Sequence, residues 1–256
     1  MLLKKFRLFF LVGLTTILFS FTSDAGYDPS LVEITSTTYN TDKFIMVSMK
    51  REGNHIKAKY FAATDPKTNK TIQQRFKSWS VGKKIICFSS GTYMNSCYQN
   101  DLPTPVGLCI DNGYIVNETL DKNFGGLVVV YATGGMVATK LSDGNLSIQT
   151  GSNNTVLDIK NNTFDRVKFK NWAVENDGTV FQSHLLVYKD KLDINYCYTG
   201  TCMNKDPRRF LAVCKDQNDK IIHVIVHCMT KTTLYEGSRK AYTFLKEFKD
   251  MKEIVF

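Results

Sequence analysis

Pro105-Val106-Gly107-Leu108-Cys109-Ile110-Asp111-Asn112-Gly113 is the stretch that decides the fold class. A short apolar run ends in Asp-Asn-Gly, and Asn followed by Gly supplies the positive φ angles that a tight hairpin needs. The pattern then repeats. Gly126 to Ala132 and Met136 to Lys140 read as strands, Ser142-Asp143-Gly144 as a turn, and Leu146 to Gln149 as the next strand. Sequential strands joined by tight turns predict antiparallel sheet rather than strand-helix-strand units.

Working outward, Phe44 to Met49, Ile56 to Ala62 and Lys84 to Phe88 read as strands, as do Thr179 to Tyr188 and Arg208 to Cys214. Lys220 to Cys228 is strongly β-branched and reads as a central strand. Ile72, Phe76 and Trp79 recur at helical spacing, and so do Leu234, Ser238, Ala241, Leu245 and Phe248 near the end of the chain. Residues 26 to 42 read as an extended lead-in and 151 to 163 as Asn-rich turns, while Phe164 to Glu175 fits either a strand or a short helix. The class expected is α+β, a mixed, largely antiparallel sheet with flanking helices in a single domain.

Lys4, Lys5 and Arg7 precede a mostly apolar run from Leu8 to Phe21, and Ser23 and Ala25 supply small residues at a cleavage point. This order of charged, apolar and small residues predicts a secretory leader over residues 1–25, and the apolar run is short for a membrane span of about 20 residues. A secreted or periplasmic protein follows, with no stable membrane span after cleavage. Losing the leader lowers the formal charge from +9 to about +7. The lysines are interspersed with carboxylates, which favours general attraction to anionic surfaces and argues against a nucleic-acid partner. The seven cysteines all follow the leader, and an oxidising compartment predicts up to three bridges, with Cys197–Cys202 the first local candidate. They form no compact ligand set with His, so neither a metal nor a cofactor is expected.

From Lys84 to Phe256 the order of motifs resembles the phosphodiester glycosidase family. Ile85-Ile86-Cys87-Phe88 leading into Ser89-Ser90-Gly91-Thr92-Tyr93 is similar to the family's strand and first turn. Pro105-Val106-Gly107-Leu108 with Asn112-Gly113 is similar to its next strand and turn, and Asn123-Phe124 to the segment after that. Gln182-Ser183-His184-Leu185-Leu186-Val187, the strand led by Arg208 and the helix opened by Thr233-Leu234-Tyr235-Glu236 continue the likeness. Two departures accompany it. Ser89 stands where the family has Asn, and the family's Asp-Gly-Gly-x-Ser loop belongs after the last strand, where this sequence stops at Phe256. The division expected is a leader at 1–25, an N-terminal lead-in with strands over 26–83 and, by the resemblance, a family-like domain over 84–256 that is C-terminally incomplete.

Hydrolysis of a sugar phosphodiester requires donors around the phosphate, a group that handles the proton of the leaving oxygen, and stabilisation of a cation-like sugar. Through the resemblance, Arg208 is the phosphate candidate, its fork of donors suiting paired oxygen contacts. His227 is the acid/base candidate and Glu236 the carboxylate, with Ser89, Gly91, Tyr93 and Ser183 expected at the substrate. Each has a plainer reading too: an ion-paired arginine, a packed imidazole, a helix-capping glutamate. The function expected is hydrolysis or binding of sugar-phosphodiester linkages in surface polysaccharide. The alternative is a carbohydrate-binding or envelope protein on the same fold without catalysis.

Overall fold

The computed structural model describes residues 18–23, 28–51, 56–62, 65–91, 105–121, 123–140, 146–150, 155–159, 166–192 and 200–256. The chain begins with β1 (Leu18–Ser23), the hairpin β2 (Val32–Tyr39) and β3 (Asp42–Lys50), then β4 (Ile56–Phe61). Helix α1 (Ile72–Trp79) leads into β5 (Lys84–Ser90), β6 (Cys109–Asp111), β7 (Tyr114–Asn117), β8 (Gly126–Val130) and β9 (Met136–Lys140). A ribbon of β10 (Leu146–Thr150) and β11 (Thr155–Ile159) precedes α2 (Arg166–Glu175) and β12 (Thr179–Ser183). The short pair β13 (Val187–Tyr188) and β14 (Lys191–Leu192) is followed by β15 (Asp206–Lys215) and β16 (Ile221–Thr232). Helix α3 (Leu234–Thr243) ends in a π turn, Phe244–Phe248, and β17 (Glu253–Val255) closes the chain.

Every pairing among the described strands is antiparallel. Two five-stranded sheets dominate, in the orders β17-β15-β16-β3-β2 and β7-β6-β12-β8-β9, beside a three-stranded sheet β4-β1-β5. The α+β class with a largely antiparallel sheet is what the chain adopts. β2 and β3 share a sheet with β16, so the segments on either side of residue 84 are built into one body. Within the supposed lead-in at 26–42, Val32–Tyr39 is in fact half of a hairpin, and its apolar alternation is too faint to show because β2 lies at the sheet edge with Ile34 exposed. Part of the Asn-rich 151–163 stretch is β11, and Arg166–Glu175 of the ambiguous 164–175 stretch is helical. β1 lies inside the segment read as a leader. Ala25, Tyr93, the 142–144 turn, Cys97 and Cys197 lie outside the described residues.

Strand alternation sorts the side chains into layers. One face of the β15-β16-β3 sheet sends Phe210, Ala212, Val224, Val226, Phe44 and Met46 toward α3, where Leu234, Ala241, Phe244 and Leu245 meet them. Phe44 stacks on Phe244 with ring centroids 4.4 Å apart. The other face sends Ile225 and Met49 toward β4, β8, β9 and β12, with Tyr60 stacked on Phe181 at 4.4 Å. Beyond that second sheet, Leu108, Ile110, Leu127, Val129 and Val180 cover Trp172 and Ala173 of α2. The order is helix, sheet, sheet, helix, and burial of each large apolar side chain contributes about 1.5–3 kcal/mol.

α1 sits beside the sheets, closed by a capping box in which Thr71 accepts from Gln74 N and Gln74 accepts from Thr71 N. Its Arg75 reaches the fully buried Asp111 in a two-pronged pair of 2.7 and 2.9 Å. Asp111 also accepts from Ala62 N at 2.6 Å and from the Asn112 side chain, which in turn donates to Tyr60 O. The Asn112-Gly113 turn has φ values of 50° and 78°, as its sequence predicts.

Cys109, Cys214 and Cys228 are free thiols. With these three outside any bridge, the three bridges expected from composition cannot form. Burial pushes the thiols of Cys109 and Cys214 far up, in keeping with small apolar core residues.

Two stability predictions follow from the buried charges. Arg75→Met should cost about 3–5 kcal/mol in urea unfolding, because it leaves the Asp111 carboxylate buried without its cation. His223, fully buried between the sheets, has its pKa lowered to about 4 by burial first and the Arg51 charge second. The unfolded imidazole therefore binds its proton at higher pH than the folded one. Stability should fall by about 3 kcal/mol as pH drops from about 6.5 to 4, and this acid limb should flatten in His223→Phe.

Candidate functional site

The β2–β3 hairpin turns through Asn40 and Thr41, with φ values of 46° and 69°. A β-branched residue rarely adopts such a φ, and here it folds the hairpin tip over the end of β16 and the side of α3. The result is a cleft of about 540 Å³ lined by Tyr39, Asn40, Asp42, Phe44, Lys205, Lys231, Thr232, Glu236, Arg239, Lys240 and Thr243. Phe44, almost fully buried, forms part of its apolar wall. Tyr39 supplies an aromatic edge, held by a 2.6 Å hydrogen bond from its hydroxyl to Glu247.

Four cations and two carboxylates share this lining. Both carboxylates are engaged. Asp42 is paired with Lys240 at 2.7 Å. Glu236 closes the α3 capping box, accepting from Thr233 N at 3.1 Å while Thr233 accepts from Glu236 N at 3.1 Å. The Thr233 backbone hydrogen bond, with smaller contributions from Lys205 and Lys240, holds the Glu236 carboxyl below the usual carboxylate range. At neutral pH Glu236 is therefore a carboxylate rather than a proton donor. Lys205, Lys231 and Arg239 are exposed, so the cleft presents excess positive charge to a ligand.

Arg208 stands next to this cleft but does not line it. Its guanidinium donates to Thr232 O at 3.2 Å and to Asn204 O, which ties the start of β15 to the end of β16. The stem of Arg208 packs on α3 at Gly237, where a Cβ would come within 3.0 Å of Arg208 Cγ and 2.7 Å of Thr232 Oγ1. Arg208 is thus fixed by backbone carbonyls and sits one step behind the lysines.

The expected trio of Arg208, His227 and Glu236 is not assembled. β16 continues to Thr232, so His227 lies within the strand rather than at its end, and it pairs in register with Arg209. Alternation sends His227 and Arg209 to the face opposite Arg208 and α3. Burial, and next the Arg209 charge, pushes the His227 imidazole down. Ser89 lies on β5 opposite Phe19, and Gly91 directly follows that strand. Ser183 ends β12 opposite Gly126. None of these three lines the cleft, and Tyr93 is not among the described residues. Next to Ser183, His184 stands edge-on to Phe124 at 4.7 Å, with its Nε2 3.8 Å from Cys202 Sγ.

Sequence reasoning found Glu236 and the neighbourhood of Arg208 but missed Tyr39, Asp42, Lys205, Lys231, Arg239 and Lys240. Residues about 200 positions apart meet here, and the Asn40-Thr41 pair ahead of the Phe44 to Met49 run is a local cue that the sequence reading passed over. Among the described residues no group of three or more His, Cys, Asp or Glu side chains could hold a metal.

No family model matches this chain. No curated protein matches it by sequence. Among solved structures, the chain is similar to the catalytic domain of zebrafish N-acetylglucosamine-1-phosphodiester α-N-acetylglucosaminidase, auto-inhibited by its pro-peptide. The TM-score is 0.42 at 10% identity, covering 92% of this chain and 74% of that one.

The close approach at Gly237 makes it the position that seats α3 against the cleft. Gly237→Ala should destabilise the protein by about 1–3 kcal/mol despite alanine's better helix propensity, measured as a lower urea midpoint. Gly82, whose surroundings are open, gives the comparison, because there only the positive φ is at stake.

Proposed function

We propose that this chain is an exported protein that binds sugar-phosphodiester linkages of surface polysaccharide in the cationic cleft between α3 and the β2–β3 hairpin. The observation that carries the reading is the charge arrangement: four cations around about 540 Å³, with both carboxylates of the lining already engaged. A phosphodiester bears one negative charge and oxygens that lysine and arginine donors can share. The half-buried Tyr39 ring offers apolar surface to the carbon face of a sugar. The order of motifs that resembles the phosphodiester glycosidases points to the same ligand class, and the apolar leader to the compartment where such glycans lie.

The position of Glu236 in the lining favours a second reading, hydrolysis at the same cleft. An ionised carboxylate stabilises a cation-like sugar, whereas proton delivery from His227 is ruled out by its place on the far face of the sheet. Binding is thus better supported by the geometry than turnover.

Calorimetry with the methyl phosphodiester of a hexose 1-phosphate tests the reading. Lys231→Glu combined with Arg239→Glu should weaken binding by about tenfold or more, with a reduced salt dependence. Equal binding by wild type and the double variant would sink the proposal. Glu236→Gln keeps the capping box, so a release of sugar phosphate by the wild type that disappears in this variant would establish the hydrolytic reading.

A further inference from the structure

A second surface, remote in sequence from the cleft residues, combines aromatic rings with unbroken positive charge. From residue 66 to residue 88 the chain contains Lys67, Lys70, Arg75, Lys77, Lys83 and Lys84 and not one Asp or Glu. Arg75 is committed to Asp111, and Lys67, Lys70, Lys77 and Lys84 are exposed. The same segment forms a contiguous aromatic cluster. Phe76 lies 6.4 Å from Trp79 and 6.3 Å from Phe88, over Phe61 at 6.4 Å. Phe88 is 52% exposed, and Val81, two residues past Trp79, is 75% exposed.

We propose that this face, α1 with the turn into β5, docks the protein onto an anionic phospholipid surface. Exposed apolar side chains set among lysines suit the headgroup boundary, where ammonium groups meet lipid phosphates while apolar tips enter the acyl region. Charge complementarity alone would also suit a polyanionic glycan or a nucleic acid, but those ligands use open aromatic faces. Here the Trp79 ring is covered by the Lys83 ammonium, 5.4 Å from its centroid and anchored on Trp79 O at 2.8 Å. An exposed valine offers such ligands nothing to stack on, whereas an apolar lipid interior accepts it. The chain connects this face to its apolar start as well: the run from Leu8 continues into β1, whose Leu18 pairs with Phe61 of β4, the residue under the cluster. No helix among the described residues is long and apolar enough to cross a membrane, so this is attachment to a surface and not a span.

Co-sedimentation of the full chain with vesicles tests the docking. Vesicles of equal parts phosphatidylglycerol and phosphatidylcholine should capture the wild type, and pure phosphatidylcholine should capture it far less. Val81→Asp with Phe88→Ser, and separately Lys77→Glu with Lys83→Glu, should each weaken capture by about tenfold. Lys231→Glu, at the cleft, should leave it unchanged. All these proteins keep residues 1–17, so equal capture of every variant would assign binding to that segment and overturn the proposal. Binding to dextran sulfate as tight as to vesicles, and indifferent to the Val81 and Phe88 changes, would also overturn it in favour of a polyanion site. Should Phe88→Ser disturb folding by circular dichroism, Val81→Asp alone carries the test, since its side chain is largely in solvent.

Discussion

The two-pronged contact between Arg75 and the buried Asp111 carboxylate ties together parts of the fold that sequence separation would leave independent. Asp111 ends β6, Arg75 belongs to α1, and the backbone N–H of Ala62, just past β4, donates to the same carboxylate. A carboxylate in the interior is costly unless its charge and oxygen lone pairs are all met. Each of the three elements therefore has one place where the set is complete. The same Asp-Asn pair begins the β6–β7 turn, so a hairpin device and an ion pair share two residues.

From that point the layered order follows. β4 is held against β12 by the stack of Tyr60 on Phe181, which fixes the spacing of the two sheets. The large sheet can then offer its other face to α3, with the Phe44 and Phe244 rings in parallel contact. The cleft is a by-product of that docking, because the hairpin tip and the end of β16 both extend past the helix's first turn. Its charge comes from Arg239 and Lys240 of α3, Lys231 near the end of β16 and Lys205 just before β15.

Much of the fold was legible where the signal is local. The Asn112-Gly113 turn, the β-branched run of β16 and the apolar stripe of α3 each carry their own physical cause within a few residues. β2 was not legible, because an edge strand with one solvated face and many Thr and Ser residues lacks a strong alternation. α2 was ambiguous because its apolar residues do not gather on one side. The site was less legible than the fold. Glu236 was found through the resemblance carried by Thr233-Leu234-Tyr235-Glu236, but Arg208 and His227 could be separated only by knowing which face of the sheet meets the helix, and Lys240 gains its meaning from Asp42, 198 residues away.

β1 constrains any cleavage of the chain near residue 25. It is the middle strand of its sheet, and it gives β4 and β5 a ladder partner at every position from Leu18 to Ser23. Folding and a removal of that segment would compete for the same six residues. A peptidase acting before the sheet closes would separate two strands that pair with each other only through the excised piece. One acting afterwards would find its substrate already woven into a folded product. Were the segment cut, the order of cleavage and folding would decide whether β4 and β5 end as neighbours of a shared strand or as two open edges.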